Sequence, residues 1–404
     1  MIDKPLYYAV VALLTLSLVM SYSLSSYTVI FYRYDEFHFF IRQLGAVSVG
    51  LFIIFFLSKL NPDKWFNRIG FTLFFTFLFL MIVMQFMPSN MVRVIGGAKR
   101  WIHIGSASIA PVEFFKIGFV FFLSWSFSRK LQGKGEMKLW DEFKILFPYL
   151  FIFGIAVVLI AVLQKDLGQI VVLAGTLAIL FVLAGRSMKF FMMFMGIGFI
   201  SFIGLILMAP HRMIRILSWW STVQDSILSL FPFDAVQALH VEATKEPYQI
   251  SNALNAIQNG GMWGQGLGNG QFKLGYVSEV HTDFILVGLT EELGFVGFFL
   301  VIFTFMFLVF RLKKIAGDLR EPEYYLFSVG ISLLISLALI INSYGVSGIT
   351  PIKGIAVPLL SYGGSQIVAN SVAIGMVLML SKKRQKWKYL TKNQTVTKNS
   401  EEQV

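Results

Sequence analysis

Long apolar runs without charge alternate with short polar segments along almost the whole chain. A helix needs about 20 apolar residues to cross the hydrocarbon core of a bilayer, and about ten runs reach or approach that length. They lie near residues 6–26, 37–58, 69–88, 110–128, 145–163, 168–186, 189–208, 284–310, 324–345 and 366–381. No small-residue cleavage site follows the first run, which we interpret as an uncleaved span. The pattern predicts an all-α polytopic membrane protein with about ten transmembrane helices over residues 1–381.

Composition supports this interpretation and excludes other classes of protein. Hydrophobic residues make up 56% of the 404 and charged residues 14%, too little charge to cover a soluble protein. The net charge is +12, but the basic residues are spread among loops and tail without a nucleic-acid-binding motif, so no nucleic-acid partner is expected. Cysteine is absent, which excludes disulfides, thiolate metal sites and a cysteine nucleophile.

The polar segments between the runs differ in their basic residues. Segments on the side of the two termini carry about twice as many Lys and Arg residues as those on the opposite side. The positive-inside bias therefore predicts cytoplasmic termini and a long extracytoplasmic loop over 209–283. The tail over 382–404 is basic and then polar, and we expect it to be disordered. No inverted pair of broken helices favours a secondary transporter.

The long loop contains two predicted helices and a glycine-rich segment. Residues 217–231 mix tryptophan and leucine with polar residues and predict a helix at the membrane interface. Residues 248–259 place apolar side chains on one helical face. Six glycines then fall within residues 260–270, so this backbone can pass close to another part of the molecule. The segment lacks the Gly-Lys-Ser/Thr ending of a phosphate loop.

A carboxylate stands where the eighth span begins. Asp283 follows His281, and Glu279 lies four residues earlier. Asp283 is either a helix cap or a partly desolvated general base fixed by a rigid helix. Glu291 and Glu292 lie about two turns deeper and are expected to be polar packing groups.

Charged residues inside spans are costly and are functional candidates by default. Glu113 and Lys116 are three residues apart and share a helix face, so they either lock helix packing or help hold an anionic head group. Arg42 lies one turn inside the second span, where it either snorkels to the interface or offers a forked cation for phosphate.

Further polar residues cluster near the predicted outer face. Asp166, in the turn over 164–169, either caps the next helix or joins the site. The outer-face residues Arg100, Trp101, Arg212 and Arg215 together would suit an anionic lipid substrate. The five histidines show no metal-ligand spacing, and we predict no dedicated metal site.

Four stretches carry a resemblance to one family. They are 97–102 with 111–116, 164–169, 281–284 with 291–294, and 358–365. Together they resemble the SEDS (shape, elongation, division and sporulation) family of bacterial membrane proteins, which includes FtsW and RodA; residues 350–354 look more like FtsW. The chain departs from the usual motifs at three positions: Val112 stands where the family usually has Ser, Lys165 where it has Pro, and Gln366 where it often has Ser.

The resemblance implies a peptidoglycan glycosyltransferase that polymerises lipid II at the outer face of the bacterial cytoplasmic membrane, in cell division. It implies a class B penicillin-binding protein as partner, together with other division or elongation complex proteins. Asp283 matches the family's essential aspartate. We expect the lipid II head group or pyrophosphate to be bound by Arg42, Arg100, Trp101, Glu113, Lys116, Gln164, Asp166, Arg212, Arg215, Gln249, His281, Ser361 and Gly363.

In the expected reaction, Asp283 removes a proton from a sugar hydroxyl, which attacks the anomeric carbon of the growing chain. Cations stabilise the polyprenyl pyrophosphate that leaves. We expect no covalently bound cofactor, and assistance by a divalent cation, Mg²⁺ or Mn²⁺, stays open. The alternatives are a lipid II flippase, a RodA-like elongation polymerase and a non-catalytic division scaffold.

Overall fold

The computed structural model describes residues 3–95, 97–105, 107–130, 139–185, 188–208, 210–228, 248–351 and 354–401. Helices dominate, and a π-helix over Val158–Leu163 continues α6. The α-helices are α1 Lys4–Leu24, α2 Ser26–Tyr32, α3 His38–Lys59, α4 Pro62–Val83, α5 Pro111–Lys130, α6 Leu139–Val157, α7 Leu167–Leu183, α8 Met188–Leu207, α9 Pro210–Leu228, α10 Tyr248–Gly260, α11 Ile285–Gly317, α12 Pro322–Val346 and α13 Gly364–Glu401.

Two small antiparallel hairpins lie between α4 and α5. One pairs β1 Val94–Ile95 with β2 Ala98–Lys99, and the other pairs β3 Ile102–Ile104 with β4 Ala107–Ile109. They complete an otherwise helical architecture, and the prediction of an all-α polytopic membrane protein is confirmed.

Seven helices in the described part of the chain are long and apolar enough to cross a membrane. They are Lys4–Leu24, His38–Lys59, Pro62–Val83, Trp140–Leu163, Ile285–Gly317, Pro322–Val346 and Gly364–Lys383. Shorter apolar helices cover Leu167–Leu183 and Phe191–Leu207, and α5 covers the apolar run near 110–128 that contains Glu113 and Lys116. The predicted spans therefore coincide with α1, α3 to α8 and α11 to α13.

The helices pack through apolar side chains and close glycine contacts. α3 packs on α13, α4 on α5, α11 on α10 and α12, and α12 also on α5 and α7. At the crossing of α4 and α5, any side chain at Gly118 would collide with the backbone of α4, so the glycine sets how closely these helices approach. Phe66 fills the neighbouring core and makes edge-on contacts with Phe121, Tyr324 and Phe327.

α11 is broken nine residues from its first residue, and the glycine-rich segment fills the break. Gly294 has φ 70° and ψ −175°, which a helix cannot contain. The amides of Gln265 and Gly266 donate to the carbonyls of Glu291 and Glu292 at 2.9 and 3.0 Å. On the other side of the break, amides at positions 295 and 296 donate to carbonyls at positions 261 and 262 at 2.9 and 3.1 Å. The close approach expected of the glycines is therefore an approach to α11 itself.

A buried ion pair fixes the same loop. Lys273 Nζ lies 2.7 Å from Glu292 Oε1, and the two side chains are 3% and 0% exposed. Ser23 of α1 donates to Glu292, and the Lys273 ammonium also donates to the Gly268 carbonyl at 2.8 Å. Glu291 Oε1 accepts the amides at 271 and 272. Both glutamates are polar packing groups, as the sequence predicted.

The bundle has two polar ends. One end, called the terminal end below, carries the start of α1. The ion pairs that hold it together are Asp3–Arg311, Arg129–Glu323, Asp63–Lys383 and Glu321–Lys383. α13 starts at the opposite end and continues to Glu401, through the tail for which we expected disorder. Lysine, arginine and glutamine are good helix formers, so a helix can continue beyond its apolar part.

The long loop predicted over 209–283 contains α9 and α10. α9 begins at Pro210, earlier than the interface helix predicted over 217–231, because proline favours the first turn of a helix. Residues 229–247 lie outside the described residues. The end of the bundle that carries this connection and the start of α11 is called the Asp283 end below.

Candidate active site

The turn before α11 presents the Asp283 carboxylate. The helix is capped by Phe284 without a side-chain hydrogen bond, so Asp283 is not the N-cap that one interpretation of the sequence suggested. No hydrogen bond to its carboxylate is found among the described residues. Burial raises the pKa of Asp283 to about 6, the negative charges of Glu279 and Asp166 add to the rise, and Arg100 opposes it.

The backbone of this turn is fastened to the loop over 354–362. Asn342 Nδ2, on α12, donates to the Asp283 carbonyl and to the Ile355 carbonyl, both at 2.6 Å. Ser361 Oγ donates to the Thr282 carbonyl at 2.7 Å and accepts the amide at position 357 at 2.8 Å. These contacts fix the backbone that carries the Asp283 carboxylate.

Gln43, a buried glutamine on α3, supports the end of the loop over 354–362 by hydrogen bonds. Gln43 Nε2 donates to Ser17 Oγ at 2.7 Å, and its Oε1 accepts the Gly363 amide at 3.2 Å. Ser361 is fully buried and its hydroxyl is already occupied by backbone partners. Ser361 and Gly363, both expected to bind substrate, are therefore placed by the structure as supports of the turn.

Gly354 lies directly against the carboxylate. It has φ +55°, and a Cβ there would be 3.0 Å from Asp283 Oδ2. A glycine allows both the left-handed conformation and the close approach. Its neighbours at 352 and 353 lie outside the described residues.

His281 is packed among aromatic rings. Its imidazole is buried, 5.1 Å from the ring of Phe39 and 5.5 Å from the ring of Tyr362. Burial lowers the pKa of His281, while Glu279 opposes that effect. The side chain, expected to touch substrate, packs against the rings of Phe39 and Tyr362 beside the Asp283 turn.

Arg100 brings the turn over 164–166 to the same place. Its Nε donates to the Gln164 carbonyl at 2.8 Å and its Nη2 to the Lys165 carbonyl at 3.2 Å. Asp166 caps α7 by accepting the amide at position 169 at 3.2 Å. Burial raises the pKa of Asp166, and Arg100 opposes the rise. Arg100, Asp166 and Asp283 thus share one electrostatic environment.

Three polar side chains close a triangle beside this group. Lys116 Nζ lies 2.9 Å from Glu113 Oε2 and donates to Gln169 Oε1 at 2.8 Å. Gln169 Nε2 donates to Glu113 Oε1 at 3.2 Å. A cavity of about 30 Å³, also lined by Pro358 and Gln366, opens on the triangle. The pair predicted from the sequence is therefore formed, mostly buried, and connected to the loop that supports Asp283.

The other predicted residues are placed less closely around Asp283. Arg42 is exposed and lies by the phenol of Tyr362, whose pKa burial raises and Arg42 lowers. Trp101 is half-buried next to Arg100.

Gln164 is buried, and its side chain contacts Met84. Gln249 is exposed and donates to Ser278 Oγ at 2.7 Å. Arg212 and Arg215 lie on α9, but their side chains are outside the described part of the structure.

Comparison with known proteins places the chain among cell-cycle membrane proteins. The sequence model of the family described as "Cell cycle protein" (FTSW_RODA_SPOVE) matches residues 4–386. The chain belongs to this family. A relative from Helicobacter pylori named "Probable peptidoglycan glycosyltransferase FtsW" is 46% identical over 94% of this chain and 98% of its own length.

Further proteins resemble the chain in sequence or in fold. The "Stage V sporulation protein E" of Bacillus subtilis is 34% identical over 92% of this chain and 94% of its own length. The rod shape determining protein RodA of Thermus thermophilus has the same fold, with a TM-score of 0.61 and 22% identity over 95% of this chain and 97% of that chain. The fold also matches a chain from a structure described as "Structural coordination of polymerization and crosslinking by a peptidoglycan synthase complex", with a TM-score of 0.69 and 22% identity over 95% and 98%.

The structure adds residues to this family member's site that the sequence analysis did not single out. Asn342 and Gln43 hold the backbone around Asp283, and Gly354 sets the space beside it. Each amide is a polar group inside an apolar run, and buried polar groups in spans are functional candidates. That signal could have identified Asn342 and Gln43 from the sequence.

Among the described residues, no group of three His, Cys, Asp or Glu side chains is arranged to hold a metal ion. Glu279 and Asp166 act on Asp283 through their negative charge.

Proposed function

We propose that Asp283 is the general base with which this chain, an FtsW-like peptidoglycan glycosyltransferase, polymerises lipid II. The observation that supports the proposal most is the state of this carboxylate. Its backbone is held by Asn342, its oxygens accept no hydrogen bond from the described residues, and its pKa of about 6 is close to that of an effective base near neutral pH.

The proposed step transfers a glycosyl group between two anionic lipids. Asp283 takes the proton of a sugar hydroxyl on the acceptor lipid II as the oxygen attacks the anomeric carbon of the growing chain. A new glycosidic bond forms, and the anomeric bond to the pyrophosphate breaks. The polyprenyl pyrophosphate leaves with the bonding electrons, and Asp283 holds the proton until solvent removes it. A positioned base contributes on the order of a hundred- to ten-thousand-fold in rate.

The leaving pyrophosphate requires cations. Lys116 is mostly buried beside the site, and Arg42 is exposed near Tyr362. Cations fixed in a partly desolvated site stabilise developing negative charge without reorganising. We assign this role to Lys116, Arg42 and Arg100, with Arg212 and Arg215 as candidates on α9.

We place the Asp283 end outside the cytoplasm and both termini inside. The bias of basic residues toward the terminal end supports this orientation. The chain lacks cysteine, so Leu267→Cys, at the Asp283 end, and Lys388→Cys, on α13, each introduce one thiol. We expect an impermeant maleimide added to intact spheroplasts to label only the first. Labelling of both from the same side would contradict the orientation.

We propose a class B penicillin-binding protein as partner in the division complex. The structure that combines polymerisation with crosslinking in one synthase complex has the same fold as this chain, which supports the choice. Other membrane proteins of the complex would join them. Depletion should block septation, whereas loss of rod shape with continued division would favour a RodA-like role.

The deciding experiment uses the purified full chain in liposomes with lipid II. We expect glycan strands from the wild type and a yield lower by on the order of a hundredfold or more from Asp283→Asn at the same protein density. Transbilayer movement of lipid II without polymer would favour a flippase. Neither polymer nor movement, with retained binding of the division partner, would favour a scaffold.

A further inference from the structure

The connection between α1 and α3 exposes a row of aromatic rings at the Asp283 end. α2 lies within this connection and contains no buried residue. The side chains of Phe31, Tyr32 and Tyr34 are 62%, 64% and 46% exposed. Adjacent large rings exposed in this way mark a surface that binds a ligand, a lipid or another protein.

These rings contact one another in sequence. Tyr27 stacks on Phe31 with centroids 5.5 Å apart, and Phe31 meets Tyr32 edge-on at 5.0 Å. Tyr32 lies 6.1 Å from Tyr34, which stacks on His38 at 4.5 Å. The surface is therefore a continuous strip, which we call the aromatic strip and define by these five residues.

The aromatic strip leads to the Asp283 turn. Tyr34 contacts Phe39 edge-on at 5.7 Å, and Phe39 contacts His281 at 5.1 Å. Phe39 also contacts Tyr362 at 5.2 Å. Because His281 is two residues from Asp283, Phe39 joins one end of the strip to the turn that carries the proposed catalytic group. At the other end, the ring of Tyr27 packs against Gly275.

Backbone strain supports the strip. Arg33 has φ 55°, a left-handed conformation that is costly for a residue with a side chain. It ends α2 and lets the Tyr34 amide donate to the Val29 carbonyl at 3.0 Å, which folds Tyr34 back toward Tyr32. The strained turn therefore joins the rings of α2 to the rings beside α3.

Aromatic residues at a membrane interface also anchor proteins in the headgroup layer. That role requires exposed rings near the interface, but it requires neither an unbroken series of contacts nor a connection to the catalytic turn. Both features are expected of a surface that holds one long molecule with one end at Asp283.

We infer that the aromatic strip binds the growing glycan strand, with sugar rings stacked on Phe31, Tyr32 and Tyr34. The inference rests on the proposed function, since the strand is its product. The C–H face of a pyranose ring is apolar and weakly positive, and it complements the negative face of an aromatic ring. The tyrosine hydroxyls can in addition hydrogen-bond to sugar hydroxyls. A strand held this way stays beside Asp283 between successive additions.

Strand length tests the inference. Phe31→Leu/Tyr32→Leu keeps apolar side chains for the interface but removes two ring faces. We expect the mean strand length made from lipid II to fall at least threefold, a larger change than in lipid II consumption. Phe31→Trp/Tyr32→Trp should restore long strands, because tryptophan supplies equivalent faces.

Phe86→Leu is the matched control. Phe86 is 85% exposed in the turn after α4, at the same end of the bundle but outside the strip. Its strands should match those of the wild type. Equal shortening in Phe86→Leu and in the strip variant would mean that the rings act only as interface anchors and would overturn the inference.

A binding measurement separates this inference from the proposed function. Lipid-free peptidoglycan oligosaccharides are titrated onto the full-length Asp283→Asn protein in nanodiscs. We expect at least fivefold weaker binding when Phe31→Leu/Tyr32→Leu is added. Unchanged binding would overturn the strip as a glycan site even if polymerisation is confirmed. Absence of glycan from the wild type would overturn the proposed function, and the titration would still decide on the strip.

Discussion

Asp283 and the Glu291–Glu292 pair lie at opposite ends of one short helical segment and differ in every surrounding contact. Glu292 is fully buried and pairs with Lys273 and Ser23, while Glu291 accepts backbone amides from the inserted loop. Asp283 is half-buried, and the described residues donate nothing to its carboxylate. Carboxylates whose hydrogen bonds are all satisfied stabilise architecture, whereas a desolvated one without partners is available for proton transfer.

The comparison is tested most strongly by exchanging each carboxylate for its amide. Asp283→Asn should reduce polymerisation on the order of a hundred- to ten-thousand-fold. It should leave the melting temperature unchanged, because the carboxylate accepts no hydrogen bond from the described residues. Glu291→Gln should do the reverse, lowering the melting temperature with a smaller effect on the rate. Thermal unfolding and lipid II polymerisation are measured on the same preparations. Comparable rate losses in both variants would remove the distinction.

The second prediction concerns the partner of Glu292. Lys273→Met leaves a buried glutamate unpaired, which typically costs about 3–5 kcal/mol. We expect lower membrane abundance and a lower melting temperature, and partial recovery in Lys273→Met/Glu292→Leu. Lys313→Met, at an exposed position of α11, the helix that carries Glu292, is the control. A melting temperature equal to that of the control would show that the buried pair contributes little.

The spans could be predicted from sequence because bilayer thickness sets the length of each apolar run. The roles of Glu291 and Glu292 could also be predicted, since charged groups deep in a span need partners. The sequence placed Arg100, Asp166 and Asp283 near the same face of the membrane, but only the family resemblance grouped them in one site. Their proximity depends on how separate helices pack, which no local pattern encodes.

The support of the Asp283 turn was missed for a related reason. Asn342 is 59 positions from Asp283, and its two hydrogen bonds exist only once α12, the turn and the 354–362 loop have met. Ser361 was predicted to bind substrate through the family resemblance, and the structure shows its hydroxyl bonded to backbone groups. A motif identifies residues that matter without saying whether they touch substrate or hold those that do.

A third prediction compares two lysines. Lys116 lies in a mostly buried triangle beside the site, whereas Lys64 is exposed at the start of α4. Hydrogen bonds to charged groups contribute about 1.5–3 kcal/mol, so Lys116→Ala should lower the polymerisation rate roughly ten- to a hundredfold. Lys64→Ala should match the wild type. Rates are compared at equal membrane abundance, and equal rates for the two variants would make the triangle purely structural.

The smallest expected effect is a shift in pH dependence. A base with a pKa of about 6 loses its ionised form below that value, so kcat/KM should fall about tenfold for each pH unit below it. Glu279 raises the pKa of Asp283 by its negative charge. Glu279→Gln should therefore lower the midpoint and retain more activity in mild acid.

The control is Asp141→Asn, on α6, which removes one carboxylate far from the site. Its pH profile should coincide with that of the wild type. If the midpoint moves upward in Glu279→Gln, or moves equally in the control, the pH dependence of the rate does not arise from ionisation of Asp283.

The break in α11 has a consequence for biogenesis. A membrane helix normally satisfies its own backbone before it meets its neighbours, and unsatisfied amides in hydrocarbon are very costly. α11 cannot do so at Gly294, because its amides and carbonyls there are paired with residues 261–266. The ribosome synthesises residues 261–266 before α11. This loop must therefore stay near α11 and pair with its backbone while the helix inserts into the membrane. Insertion of this span and folding of the loop should therefore be a single cooperative event.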